Sequence, residues 1–100
     1  MAIITDGKMH APAHPGEILR KLYLEPMEIT ATRLAEAIQV SRKHISAIIN
    51  GRAAISTDLA VRLGLALGTD TEVWVNLQKQ WDLWEVRQRA KPNVRRLAAA

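Results

Sequence analysis

The 100-residue sequence predicts an all-α fold of about five helices. Three observations carry that reading. Apolar residues recur at spacings of three and four rather than two, good N-caps stand before the periodic segments, and glycine or proline stands after most of them. No run alternates in the manner of a strand, and no segment repeats.

The first helix opens after His14, with Pro15 at its first position and Glu17 in its first turn, and its expected buried stripe is Ile18, Leu19, Leu22 and Tyr23. Pro26 ends it. Thr30 caps a second helix carrying Leu34, Ala35 and Ile38, and only Gln39, Val40 and Ser41 precede a third helix, which begins at Arg42, repeats Ile45, Ile48 and Ile49, and stops near Gly51. Ser56 caps the fourth, with Asp58 in its first turn and Leu59, Ala60, Leu63, Ala66 and Leu67 along its face up to Gly68. Asp70 caps the fifth, whose Trp74, Leu77, Trp81 and Trp84 form a seam, and Pro92 is expected to terminate it.

Composition limits the possible functions. A chain with 48% hydrophobic and 24% charged residues is globular rather than disordered, and it holds a single domain. It contains no cysteine, which removes disulfide and thiol chemistry, and no long apolar run or signal peptide is visible, so a cytoplasmic location is expected. Residues 1–13 are expected to be a flexible arm, 14–91 the helical domain and 92–100 a basic tail. Acids are scattered over helix starts, no nucleophile stands beside an evident base, and the histidines lack further ligands, so neither an enzyme nor a metal or cofactor site is expected.

The net charge of +4 is distributed unevenly. Between Glu36 and Asp58 lie Arg42, Lys43, His44 and Arg52 with no acid among them, and after Glu85 come Arg87, Arg89, Lys91, Arg95 and Arg96. Arg42, Lys43 and His44 crowd the first turn of the third helix, where the helix dipole disfavours cations by a few tenths to about 1 kcal/mol each. A polyanion resolves the conflict. Two short helices joined by three residues form the helix-turn-helix pattern, whose second helix enters the DNA major groove with its N-terminal end. Arg42 can then pair with a guanine edge and Lys43 with guanine or phosphate, Ser46 permits close approach, and Ala47 can touch a thymine methyl. Arg52 is the expected phosphate contact beyond the helix.

The stretch "ITATRLAEAIQVSRKHISAIINGRAAIS" (29–56) resembles the helix-turn-helix of the phage-repressor Cro/C1 (XRE) superfamily, down to Ala35 and the closing Asn50–Gly51 pair. Its flanks, "HAPAHPGEILRKLYLEPMEIT" and "ALGTDTEVWVNLQKQWDLWEV", are similar to the HigA-type, VapI-like antitoxins; the similarity spans roughly residues 9–90. The resemblance implies a lambda-repressor-like five-helix domain with a longer C-terminal helix. It also implies operator recognition by the helix opening at Ser41, a homodimer, and a HigB-like mRNA endonuclease toxin as partner. Thr30, Thr32, Ser41, His44 and Asn50 join Arg42, Lys43, Ser46, Ala47 and Arg52 as the expected DNA-binding residues.

Two positions depart from the superfamily pattern. Ala31 replaces a glutamine that bridges phosphate and recognition helix in many phage repressors, leaving that task to Thr32 or to the backbone near Thr30. Gln39 stands where glycine or asparagine usually accepts positive φ, which calls for an altered turn or some strain.

Trp74, Leu77, Trp81 and Trp84 extend over a helix of about 20 residues, about 30 Å. That is longer than the other helices can cover, so these four are expected to contribute to a dimer interface as well as to the core. Two alternatives share the fold: a stand-alone transcription regulator without a toxin, and a helical protein-interaction module that has lost DNA binding.

Overall fold

A computed structural model describes residues 11–89 and 91–98. Five α-helices follow one another among these residues: α1 (Pro15–Ile18), α2 (Ala31–Ile38), α3 (Arg42–Ile49), α4 (Thr57–Leu67) and α5 (Thr71–Gln88). α1 runs directly into a wide π-helical turn over Leu19–Leu24. The predicted all-α class and element order are those observed.

Local chemistry accounts for most helix starts. The side-chain oxygens of Thr30, Ser41 and Ser56 each accept the backbone N–H three residues on, from Arg33, His44 and Leu59, at 3.0–3.1 Å. Each such cap contributes about 1 kcal/mol. Asp70 holds the equivalent position before α5, but its carboxylate takes no capping hydrogen bond, contrary to expectation. The Asp70 backbone carbonyl instead accepts from Val73 N at 3.2 Å.

The π turn corrects the expected stripe of the first helix. Glu25 N donates to Arg20 O and Ile29 N to Leu24 O, both across five residues. The wider turn carries Leu22 outward, where it is 61% exposed, and brings Leu24 into the core in its place. On α4, Ala66 is likewise exposed while Gly64 is buried, so the inward face is Leu59, Ala60, Leu63 and Gly64, flanked by Leu67.

The core joins Leu19 and Leu24 to Leu34, Ala35, Ile38, Ile45, Ile48, Ile55, Leu59, Ala60, Leu63 and Trp74. Trp74 is wholly enclosed; its indole N–H donates to Thr69 Oγ1 at 2.8 Å and its ring meets that of Tyr23 with centroids 5.3 Å apart. A residue sealed inside its own chain offers no surface to another, so Trp74 drops out of the expected dimer interface. Leu77, Trp81 and Trp84 remain half-buried.

Two glycines set helix–helix distances. A Cβ on Gly16 would collide with the Ile48 carbonyl, and one on Gly64 would lie 2.9 Å from the Thr69 carbonyl oxygen. Gly16 therefore brings α1 against the back of α3, and Gly64 lets the start of α5 pass close to α4.

Candidate nucleic-acid interface

α2 and α3 are each eight residues long, and three residues separate them. The turn places Gln39 in the left-handed region, with φ 60° and ψ 48°. For a residue other than glycine this conformation costs about 1–2 kcal/mol. The surroundings hold it in place. Val40 N donates to Ala35 O at 3.0 Å, and the Arg62 guanidinium reaches from α4 to donate to Ile38 O at 2.7 Å. Arg62 also pairs with Asp58, its neighbour one turn earlier, at 2.9 Å. Of the two alternatives that Gln39 raised, an altered turn or some strain, the structure takes the second: the usual positive φ is kept and a non-glycine residue bears it.

α3 turns Ile45 and Ile48 into the core. Lys43, Ser46, Ala47 and Asn50 therefore lie toward its opposite side. Arg42, Lys43 and His44 are all exposed on the first turn, and none of the ion pairs among the described residues involves them. Three basic side chains thus stand unneutralised at the positive end of a helix. Among the described residues no acid compensates them, whereas an external polyanion would.

The remaining expected contact residues differ in what they have free to offer. The Thr30 and Ser41 hydroxyl oxygens already accept from the backbone as caps, which leaves their O–H groups as donors. Asn50 folds its side chain back, donating from Nδ2 to Ser46 O at 2.8 Å and lying 3.4 Å from Ser46 Oγ. Its Oδ1 stays available as an acceptor. Ala47 and Ser46 are half-buried; Thr32 is exposed on the first turn of α2, and Arg52 is exposed in the segment after α3.

That segment, residues 50–56, turns at Gly51, where φ is 76°. His14 sits beside it: a Cβ on Gly51 would lie 3.9 Å from the imidazole. His14 Nδ1 accepts from Gly16 N at 2.9 Å as the N-cap of α1, and its ring meets the Trp81 ring edge-on at 4.9 Å. Partial burial holds the imidazole below its ordinary pKa of 6.5, against the opposing pull of Glu85, Asp82 and Glu17. The "HPGEIL" stretch thus acts as a bracket for α3. His14 caps α1, buried Pro15 starts it, and Gly16 allows it to touch α3.

Sequence reasoning missed Arg62 and Gln78. Arg62 was visible as a partner for Asp58 four residues away, but its carbonyl contact spans 24 positions. Gln78 does leave a signal, since it is a polar residue one turn after Trp74 on the seam that faces the core. It is buried, with both ends of its carboxamide hydrogen-bonded.

Known proteins share this geometry. The Helix-turn-helix family model HTH_3 matches residues 19–74. The chain is 44% identical over 78 residues to antitoxin HigA-1 of Vibrio cholerae, covering 78% of this chain and 73% of that one. It is 43% identical over 75 residues to the uncharacterized HTH-type transcriptional regulator YbaQ of Escherichia coli K12, covering 75% of this chain; it spans 66% of that relative's length, just under two thirds. Among solved structures, antitoxin GraA in complex with its operator superposes with a TM-score of 0.75 at 34% identity, covering 97% of this chain and all (100%) of GraA. Pseudomonas aeruginosa antitoxin HigA with the higBA promoter superposes with a TM-score of 0.70 at 33% identity, over 83% and 99% of the two chains.

Proposed function

The chain belongs to the helix-turn-helix (HTH_3) family, in the group of the HigA antitoxins, and from that premise we propose that it is the antitoxin of a type II toxin–antitoxin pair. It binds operator DNA in its own promoter as a homodimer, and it neutralises a small HigB-like mRNA endonuclease. The observation that carries the DNA-binding half is the exposed basic turn of Arg42, Lys43 and His44 at the start of α3, which forms no ion pair among the described residues.

In this reading α3 enters the major groove, Arg42 reads a base edge, and Arg52 grips phosphate beyond the helix. The two helix starts, near Thr30 and Ser41, supply hydroxyl and backbone donors to phosphate, with Thr32 beside the first. A twofold pair of such domains reads two half-sites, and α5 joins them through Leu77, Trp81 and Trp84. Support for the operator and promoter comes from two relatives whose structures hold such DNA. Support for the toxin comes from the name and similarity of the Vibrio cholerae antitoxin. Residues 1–13 are proposed to help hold the toxin; all but 11–13 lie outside the described residues.

Expressing the chain with its neighbouring genes, purifying it and identifying what comes with it tests the toxin half. Measuring its affinity for the DNA upstream of its own operon tests the other. A co-purifying small nuclease and tight, salt-sensitive binding to that DNA are expected. The likeness to the E. coli regulator favours a second reading, a solitary regulator. Operator binding with no partner from the operon would establish that reading instead. Failure to bind any duplex would leave a protein-interaction module.

A further inference from the structure

Gln78 is 8% exposed and sits at the edge of an otherwise apolar core. Its Oε1 accepts from the Ile55 backbone N–H at 2.8 Å, and its Nε2 donates to Asp82 Oδ1 at 2.8 Å. Asp82 thereby fixes which end of the carboxamide faces Ile55. An aliphatic side chain would fill the same space with less polar group to desolvate, so what the amide adds is direction rather than bulk.

The segment it ties down is the one that follows the recognition helix. Residues 50–56 contain no regular element, turn at a left-handed Gly51, and expose Arg52 and Ala54 before Ile55 plugs back into the core. Ile55 N–H would be buried and unpaired without Gln78. Arg52 and Gln78 line one small cleft of about 150 Å³ together with Trp81, Asp82 and Glu85.

We propose that Gln78 is a positioning residue for DNA contact: its carboxamide, oriented by Asp82, pins the segment after α3 to α5 and so holds Arg52 at a fixed place relative to the recognition helix. The role rests on the DNA-binding reading given above. It also makes α5, the helix proposed to join two copies, the part that sets where each copy's Arg52 lies.

Three variants of the full chain test this, assayed on a duplex selected from a random pool by the wild-type protein. Gln78→Met removes both hydrogen bonds at nearly constant volume. Gln78→Glu can still accept from Ile55 but sets a carboxylate against Asp82. Gln78→Glu with Asp82→Asn restores the pair in reverse, the amide introduced at position 82 donating to the new carboxylate. Gln78→Met is expected to remain folded by circular dichroism, to bind about tenfold more weakly, and to lose up to about one unit of salt slope. The double variant should return to within about twofold of wild type, while Gln78→Glu alone does not.

A folded Gln78→Met with wild-type affinity and salt slope overturns the proposal. So does equal impairment of Gln78→Glu and the double variant, a comparison that stands even if Gln78→Met fails to fold. Amide exchange at Ile55 separates this from failure of the underlying reading. If wild-type protein binds no duplex, the DNA reading falls and the positioning role with it, whereas Ile55 exchange still slowed by Gln78 would show the tie to be purely structural.

Discussion

Arg62 Nη1 lies 2.7 Å from the carbonyl oxygen of Ile38, so α4 holds the end of α2 at the point where the chain turns toward α3. The same guanidinium meets Asp58 through Nε. The two contacts differ in consequence. The Asp58 pair is an exposed helix pair, which contributes a few tenths of a kcal/mol, whereas the carbonyl is a helix-end acceptor beside a strained Gln39.

Arg62→Met is therefore expected to lower unfolding free energy by about 1 kcal/mol or somewhat more, and Asp58→Asn by a few tenths. Paired urea titrations measure both. Equal losses would mean that the carbonyl contact contributes nothing beyond the ion pair.

Gly16→Ala should destabilise despite the helix propensity of alanine. The added Cβ meets backbone, the Ile48 carbonyl, which no side-chain rotation relieves, so α1 must move away from α3. A loss of about 2–3 kcal/mol is expected. Gly68→Ala meets no atom and is strained only through its φ of 71°, so it should cost about 1 kcal/mol. Thermal melts of the two variants give the order, and the reverse order would refute the close-approach argument.

These residues also show where sequence reading reaches and where it stops. The starts of α2, α3 and α4 were legible because each cap acts across three residues, and the three-residue turn because its flanks are strongly periodic. Leu22 was misplaced because periodicity assumes 3.6 residues per turn, and the π turn breaks that assumption. The basic cluster on α3 was legible as a charge conflict within one turn. Arg62, Gly16 and the partner of Gln78 were not, since each acts on a backbone group more than twenty positions away. Trp74 and Trp84 share one seam in sequence, and only packing separates the enclosed ring from the partly open one.

Acid should act first through His14. The neutral ring accepts from Gly16 N, and burial depresses its pKa, so the folded chain binds this proton less readily than the unfolded chain. Its contribution is thus complete above 6.5 and is lost as pH falls through the lowered folded value. His14→Asn keeps a capping oxygen and cannot titrate. From about pH 7 down to about pH 5 the wild-type melting temperature should therefore fall more steeply than that of the variant. Parallel slopes would show that His14 does not carry the effect. Glu17, held low by its hydrogen bond to Lys21, acts in a separate window: its contribution is present above 4.5 and disappears only below that.

Base reading and phosphate contact separate experimentally. Arg42→Ala should cost about 1–3 kcal/mol of operator affinity while leaving the fold intact, and should relax selectivity at one base position. Arg52→Ala should weaken binding to all duplexes alike and reduce the salt slope by about one. Competition binding with single-base variants of the operator at two salt concentrations checks both. A base-selective loss at Arg52, or unchanged affinity at Arg42, would remove that residue from its assigned role.

The tryptophans of α5 divide into a core group and a proposed interface group. Trp74 is sealed among the helices, and Trp74→Ala should cost about 3–5 kcal/mol, a large share of the stability of a domain of this size. Trp84 lies three turns on, its ring 5.2 Å from that of Trp81, and its indole N–H is shut away from solvent without an acceptor among the described residues. Leu83 and Val86, which flank it, are 48% and 54% exposed. The exposed Leu83 and Val86 are better covered than open, and a second α5 would supply the apolar area to cover them. Trp84→Glu should therefore leave the helical spectrum and the melt nearly intact while converting a dimer to monomers. Sedimentation at micromolar concentration reads the change directly. The monomeric variant should then bind a full operator with the affinity of a single half-site, because the free energy gained by linking two recognition helices is lost with the interface. A wild-type protein that is itself monomeric and binds one half-site at a time would end the dimer proposal. A Trp84→Glu variant that unfolds would move Trp84 into the core beside Trp74.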